Sequence, residues 1–273
     1  MTYEQCLKEV GLLKNLTSPN IVQLHTWFLD GNALWVVMDW VDGGDLRGML
    51  DRTKNAGNRL SELTIWRLFT QICDGLLHMH GERIMHRDLK PANVLVCRDG
   101  TVKLGDLGLG RYLNANSVQA MSRVGTPLYM SPETLKGRGH GMVSDIWSLG
   151  CILYELTMLA SPFEGRHLTL KTLFSKIVRA DYPPIDKSLY NEHFGNLVAH
   201  LLIPDPNLRP KITVVQPAAH LALVRAQQDA AEALVAEQLG AAANASDTQQ
   251  DHQHAEPEPS GNNGGRAAQP RGS

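Results

Sequence analysis

The sequence predicts an α+β fold, in which one helix and two short strands precede a mainly helical part. Three observations predict it. Apolar residues recur at helical spacing near the amino terminus, two β-branched and aromatic runs follow, and long helical patterns dominate from residue 61 onward. With 43% apolar residues among 273, the chain has enough apolar material for one large domain.

Composition excludes several classes of protein. The 26 Lys and Arg residues nearly balance 28 Asp and Glu residues, and a net charge of -2 argues against a nucleic-acid-binding surface. No stretch approaches the roughly 18 uncharged apolar residues of a membrane span, and the start lacks the basic and apolar pattern of a signal peptide. We therefore expect a cytosolic or nuclear protein without nucleic-acid or membrane partners. The four scattered cysteines predict free thiols: Cys6, Cys73, Cys97 and Cys151.

The first elements are an amphipathic helix and a hairpin. Residues 3–16 place Cys6, Val10 and Leu13 on one helical stripe. Residues 21–29 and 33–39 are predicted strands, because the step Asp30-Gly31 between them favours a tight turn.

Helices dominate the next part. Ser61 is a good N-cap, and Glu62 follows it before a long amphipathic pattern. A second hairpin is predicted from residues 94–97 and 101–104 around Asp99-Gly100. Residues 143–159 are apolar on nearly every side, which predicts a helix buried at the centre of the helical part.

The composition changes near Ala218. Residues 218–239 are rich in helix formers, so we predict a helix there. From Gly240 onward no apolar periodicity remains, and we expect disorder over residues 240–273.

The segment that carries chemistry is MHRDLKPANVL, residues 85–95. Asp88 and Asn93 lie close enough on one loop to converge, Lys90 stands between them, and Asp106 follows a short strand. A carboxylate that accepts a hydroxyl proton, an Asn and a second Asp that hold a divalent metal, and a Lys are the groups that phosphoryl transfer requires. Each residue alone is weak evidence for this function, since an Asp in a turn usually caps the local backbone.

Together these residues match the HRDxxxxN loop in full, and the chain resembles serine/threonine protein kinases. Ser131-Pro132-Glu133 stands where kinases have APE, and Arg209 is placed to pair with Glu133. The motifs GDLGLGR, VGTPLYMSPE, SDIWSLGCILYE, SPFEG, DYPP and IPDPNLRP resemble the NIMA-related (Nek) kinases, particularly their short members. The resemblance covers about residues 3–220.

The resemblance implies ATP and Mg²⁺ as cofactors and proteins as substrates. Asp88 would be the catalytic base, Lys90 would stabilise the transferring phosphoryl group, and Asn93 and Asp106 would hold the metal.

A second set of roles concerns regulation. Arg87 would meet a phosphate on the activation segment, residues 106–133, and Ser122 would carry that phosphate after the action of an activating kinase. The alternative for Ser122 is an ordinary solvated loop serine. Thr126 resembles the residue that hydrogen-bonds the catalytic base and lysine.

The resemblance also assigns the nucleotide site. The backbone of Asp39 and Val41 would bond adenine, with Met38 guarding the pocket behind, and Asp45 would lie near the ribose or the substrate. Glu9 is by position the glutamate that pairs with a strand lysine in kinases.

Two departures from the kinase pattern stand out. The metal motif has Leu107 in place of Phe, a trait of NIMA-related members, and His86 is expected to be a buried structural histidine. More important, the chain has no GxGxxG motif and no lysine upstream of the first helix, and neither Lys8 nor Lys14 is placed to substitute. The expected fold is therefore kinase-like, with a complete helical lobe over residues 42–220 and a small lobe reduced to one helix and two strands over residues 1–41.

Two main hypotheses follow. In the first, the chain is a NIMA-related serine/threonine kinase whose true amino terminus is longer. In the second, it is a truncated, non-catalytic module that binds partners through its helical lobe and competes with a full-length relative for substrates or activators. In a third, for which the sequence gives no evidence, the lobe acts only when another polypeptide supplies the missing strands. The uncovered apolar faces of Leu24, Trp27, Trp35 and Val37 are expected to favour association or aggregation. The family implies a role in mitosis, the cytoskeleton or cilia, and a cytoplasmic location that includes the centrosome, the spindle or the nucleus.

Overall fold

The computed structural model describes Gly11 and residues 13–31, 33–106, 127–165 and 168–251, with side chains to residue 239. Its contacts divide the chain into two units, residues 1–227 and 228–273. The first unit holds the mixed helices and strands that the sequence predicts. The lobe boundary expected after residue 41 stays a prediction.

The described residues form two antiparallel hairpins. Strand β1 (Leu24–Asp30) pairs with β2 (Ala33–Met38), with Asp30 opposite Ala33. Strand β3 (Val94–Val96) pairs with β4 (Val102–Leu104). Each hairpin forms around an Asp-Gly step, as predicted, and Gly31 and Gly100 adopt the positive φ that such turns require.

The β1–β2 hairpin is covered on one side only. Leu24 is buried, and Trp27 packs against the core, so the expectation that these two side chains lie uncovered was wrong. Trp35 and Val37 are exposed, as expected. The difference arises because successive side chains of a strand point to opposite faces of the sheet.

The helices of the first unit follow in chain order. They are α1 (Leu46–Asn55), α2 (Glu62–Gly81), α3 (Pro132–Leu135), α4 (Met142–Met158), α5 (Leu170–Arg179) and α6 (Glu192–Leu201). A short 3₁₀ turn spans Pro91–Asn93. Ser61 caps α2 as predicted, since its hydroxyl accepts the Thr64 N–H at 3.2 Å.

Helix α4 forms the centre of the core. Every residue from Ser144 to Thr157 is buried, which confirms the prediction of a central helix. The Trp147 ring stacks on Phe163 with 5.6 Å between centroids. Gly150 lets α6 approach closely, because a Cβ there would lie 2.7 Å from Leu201 Cβ.

The next helix of the described residues is α7 (Ile212–Asp251). It begins six residues before the predicted start and continues past Leu239, so the expectation of disorder from Gly240 is corrected for residues 240–251. Ala241, Ala242, Ala243 and Ala245 have high helix propensity, which sustains a helix without an apolar stripe. Residues 252–273 lie outside the described part. Among the described helices, none has the length and apolar character that crossing a membrane requires.

Candidate active site

A buried carboxylate on α4 anchors the loop that carries the predicted catalytic residues. The two carboxylate oxygens of Asp145 accept the backbone N–H groups of His86 and Arg87, each at 2.9 Å. They also accept hydrogen bonds from the imidazole rings of His80 and His140, each at 2.9 Å. Burial opposes ionisation of Asp145, but the hydrogen bonds from His140 and His80 outweigh it and hold its pKa well below the usual range.

The structure brings together three predicted site residues of the loop. Lys90 Nζ lies 2.8 Å from Asp88 Oδ2, and Asn93 Nδ2 donates to the same oxygen at 3.1 Å and to the Asp88 carbonyl at 2.7 Å. The Asp88 side chain is 41% exposed and that of Lys90 is 32% exposed, whereas Asn93 is buried. The loop, which Asp145 holds in place, therefore exposes the Asp88 carboxylate and the Lys90 ammonium group to solvent.

Asp106 lies two residues after the end of β4. The Gly105 N–H donates to the Asn93 carbonyl at 2.9 Å, which holds the two segments next to each other. Asp106 is exposed, and both Asp106 and Arg87 have positive φ values, of 46° and 68°. Non-glycine residues in this region carry backbone strain, which clusters at functional sites.

The donor set at Asn93 and Asp106 fits a magnesium ion. Because Asn93 uses its amide nitrogen toward Asp88, its amide oxygen is the atom available to a cation. Mg²⁺ is commonly held by one or two protein oxygens together with phosphate oxygens and water. Within the described ranges no group of three or more His, Cys, Asp or Glu side chains could hold a metal ion.

The predicted adenine-binding segment follows β2. The Asp39 N–H donates to the Gln23 carbonyl at 3.0 Å. The carbonyl of Asp39 is therefore the backbone group of this residue that could hydrogen-bond the adenine base. The Asp39 carboxylate lies 3.1 Å from Lys103 Nζ and 2.9 Å from His25 Nε2. Burial raises the pKa of Asp39, but the hydrogen bonds from Lys103, the Gln23 N–H and His25, together with the charge of Lys103, outweigh burial and lower the pKa. Val41 is half-buried beside this segment.

Asp45 has a structural role that the sequence left open. Its Oδ1 caps α1 by accepting the Gly48 N–H at 2.7 Å. A contact of Asp45 with ribose or substrate stays a prediction. Glu9, Leu107, Ser122 and Thr126 lie outside the described residues, so their roles also stay predictions.

The predicted pair of Arg209 and Glu133 is confirmed. Arg209 donates to both oxygens of Glu133, at 2.9 and 3.1 Å, and Ser144 Oγ donates to the first at 2.7 Å. Burial alone would raise the pKa of Glu133. The hydrogen bonds from Arg209 and Ser144 outweigh burial and lower the pKa from 4.5 to about 2. This pair ties α3 to the segment that follows α6.

His86 is fully buried, as predicted, and neither ring nitrogen has a hydrogen-bond partner. Burial lowers its pKa. A buried imidazole without partners is neutral, which agrees with the expected structural role.

Sequence reasoning missed a cluster beside the loop, formed by Arg47, Tyr129 and Glu155. These side chains line a cavity of about 280 Å³ together with Lys90. A signal was present, because Glu155 is a carboxylate in the apolar part of a helix that is predicted to be buried and therefore needs a partner. A larger cavity, of about 370 Å³, lies along α6 near Tyr182 and Tyr190, away from the catalytic loop.

The protein kinase domain family matches residues 1–220 of the chain. Serine/threonine-protein kinase Nek1 of Mus musculus is 37% identical over 212 residues, which cover 78% of this chain and 17% of Nek1. Serine/threonine-protein kinase Nek5 of Homo sapiens is 39% identical over 213 residues, which cover 78% of this chain and 29% of Nek5. Serine/threonine-protein kinase Nek3 of Mus musculus is 40% identical over 208 residues, which cover 76% of this chain and 40% of Nek3. The chain thus spans less than half the length of these three relatives. On the family match and these identities, the chain belongs to the protein kinase family and is a Nek-like serine/threonine kinase relative.

Proposed function

We propose that the chain transfers the γ-phosphoryl group of ATP to serine or threonine hydroxyls of protein substrates. The observation that carries the proposal is the convergence of Lys90 and Asn93 on the Asp88 carboxylate, with Asp106 held next to Asn93. This arrangement matches the requirements of phosphoryl transfer, in which positioning and charge stabilisation supply most of the catalysis.

Each residue of the loop has a defined task in this proposal. Asp88 accepts the hydrogen bond of the substrate hydroxyl, orients it and takes up its proton. Lys90 lies 2.8 Å from Asp88 and places a positive charge next to the transferred group. Asn93 and Asp106 would hold magnesium, which, when bound, neutralises charge on the phosphate oxygens of ATP.

The nucleotide and regulatory roles extend the same proposal. The backbone of Asp39 and Val41 would bind adenine, while Glu9, Thr126 and Asp45 would complete the site. Arg87 would bind a phosphate that an activating kinase places on Ser122. The kinship with Nek kinases is also our basis for proposing cytoskeletal substrates, a role in mitosis or cilia, and a cytoplasmic location that includes the centrosome, the spindle or the nucleus.

A non-catalytic binding module is the second candidate. It is favoured by the exposed apolar side chains of the β1–β2 hairpin, where Phe28 and Trp35 stack with 6.2 Å between ring centroids. Trp40, two residues after β2, is 91% exposed. Large exposed apolar patches mark sites of protein association.

Phosphate transfer separates the two candidates. The full chain, incubated with radiolabelled ATP, Mg²⁺ and a generic basic protein, is expected to label the substrate, and omission of Mg²⁺ should abolish the labelling. A chain that captures partners but transfers no phosphate would contradict kinase activity and favour the binding module, whereas labelling that persists without the divalent cation would contradict the proposed magnesium site.

A further inference from the structure

An ion pair joins the proposed adenine-binding segment to strand β4. Lys103 is the middle residue of β4, and its Nζ lies 3.1 Å from Oδ2 of Asp39, the first residue after β2. Both side chains are largely shielded from solvent, since 20% of Lys103 and 25% of Asp39 is exposed. Water therefore screens this pair less than it screens a fully exposed one.

The alternation of side chains along β4 directs Lys103 toward this segment. Its neighbours Val102 and Leu104 are fully buried in the core. Because successive side chains of a strand point to opposite faces, Lys103 lies on the other face, where it meets Asp39. The position of the lysine is thus set by the strand itself.

The Asp39 carboxylate has two further partners. Its Oδ2 also accepts the Gln23 N–H at 3.2 Å, while the Asp39 N–H donates to the Gln23 carbonyl at 3.0 Å. His25 Nε2 lies 2.9 Å from Oδ1, but the His25 side chain is 54% exposed. Together with Lys103, these contacts restrain the residue whose carbonyl the proposed function assigns to adenine.

Strand β4 also leads to the proposed metal-binding residue. Asp106 follows Lys103 by three positions. Between them, the Leu104 N–H donates to the Asn20 carbonyl and the Val22 N–H donates to the Leu104 carbonyl, each at 2.9 Å. One strand, held along its backbone, therefore contacts the proposed adenine-binding segment and carries the proposed metal ligand.

We propose that Lys103 is a positioning residue of the nucleotide site, which acts through Asp39 and holds the adenine-binding carbonyl in a fixed place relative to Asp106. This inference rests on the proposed kinase function and deepens it, because it names the side chain on which the preference for adenine depends. The 6-amino group of adenine donates a hydrogen bond to a carbonyl, whereas the 6-oxo group of hypoxanthine has no proton to donate. A carbonyl held in place discriminates between these bases, and a displaced carbonyl does not.

The test measures nucleotide binding by the full chain, which needs no phosphate transfer. ADP and IDP, whose bases are adenine and hypoxanthine, are titrated by calorimetry in the presence of Mg²⁺. The wild type is expected to bind ADP about fivefold to tenfold more tightly than IDP, which is the effect of about one hydrogen bond. Lys103→Met should weaken ADP binding by about the same factor and leave IDP binding nearly unchanged, so that the preference disappears.

Three further variants show whether the effect passes through the ion pair. Lys103→Arg keeps a cation beside Asp39 and should retain most of the preference for ADP. Asp39→Asn removes the other charge, and its combination with Lys103→Met should lose no more preference than either change alone. Lys171→Met removes a lysine from an exposed position on α5 and should leave both affinities at their wild-type values.

The outcomes separate positioning from a general loosening of the fold. A Lys103→Met protein that keeps the preference for ADP overturns the proposal, and so does equal weakening of ADP and IDP binding. A wild type that binds the two nucleotides equally, or binds neither, also overturns it. If Lys103→Met does not fold, Asp39→Asn decides, and an unchanged preference there is contrary to the proposal. A wild type that prefers ADP but phosphorylates no protein contradicts the kinase function instead, and leaves the role of Lys103 standing.

Discussion

The buried ion pair between Arg209 and Glu133 should dominate the stability of the helical part. The Arg209 side chain has no exposed surface, and besides both oxygens of Glu133 it donates to the Ile203 carbonyl at 3.0 Å. Its guanidinium carbon lies 5.2 Å from the centre of the Trp147 ring. Arg209→Met keeps much of the volume and removes every one of these donors.

The size of the loss follows from the carboxylate that is left behind. Breaking a buried ion pair by removing one partner typically costs about 3–5 kcal/mol. The pKa of Glu133 gives an independent figure, because its fall from 4.5 to about 2 corresponds to about 3 kcal/mol of differential stabilisation. We therefore expect Arg209→Met to lower the free energy of unfolding by about 3–5 kcal/mol.

Urea unfolding of the full chain, followed by circular dichroism and tryptophan fluorescence, measures this free energy. Lys187→Met is the matched control, because Lys187 is 81% exposed and 3.9 Å from Glu192, and such exposed pairs contribute less than about 1 kcal/mol. Adding Glu133→Gln to Arg209→Met should recover part of the loss, since the unpaired buried charge disappears. An Arg209→Met protein as stable as the Lys187→Met control would refute the reasoning.

Three further predictions concern stability. Because the pKa of Glu133 is lower in the folded protein, the contribution of its ionised form to the free energy of unfolding is complete above pH 4.5 and is lost as the pH falls from 4.5 toward about 2. Urea midpoints measured across this range should therefore fall less steeply with pH in Glu133→Gln than in the wild type. Equal slopes would contradict the assignment. Gly150→Ala should destabilise by about 1–3 kcal/mol in the same assay, because the new methyl group would lie 2.7 Å from Leu201 Cβ, and an unchanged stability would show that α6 can shift. Ser61→Ala should cost about 1 kcal/mol through loss of the cap on the Thr64 N–H, whereas Ser61→Asp should retain most of it.

The catalytic loop could be predicted because its residues are close in sequence. Asp88 and Asn93 are five positions apart, so a single loop brings them together whatever the rest of the chain does. The pair of Arg209 and Glu133 spans 76 positions, and it was predicted through the family resemblance rather than from local pattern.

The cluster at the cavity could not be predicted in the same way. Arg47 and Glu155 are 108 positions apart, and the pattern around Glu155 shows only that some partner must exist. Which cation reaches it depends on how α1 packs near α4, a tertiary relation without a local signal. The same holds for His80 and His140, which meet at Asp145 from either side of the catalytic loop.

The role of Asp88 in phosphate transfer is tested most directly by the initial rate of magnesium-dependent serine phosphorylation in three matched proteins. The wild type should transfer phosphate, and Asp88→Asn should be slower by a factor of at least about 100, because the amide cannot accept the substrate proton. Asp99→Asn makes the same chemical change at an exposed turn, where Asp99 accepts the Thr101 N–H at 2.8 Å, and should keep the wild-type rate. Equal rates for Asp88→Asn and the wild type, or no magnesium-dependent transfer by the wild type, would contradict this role.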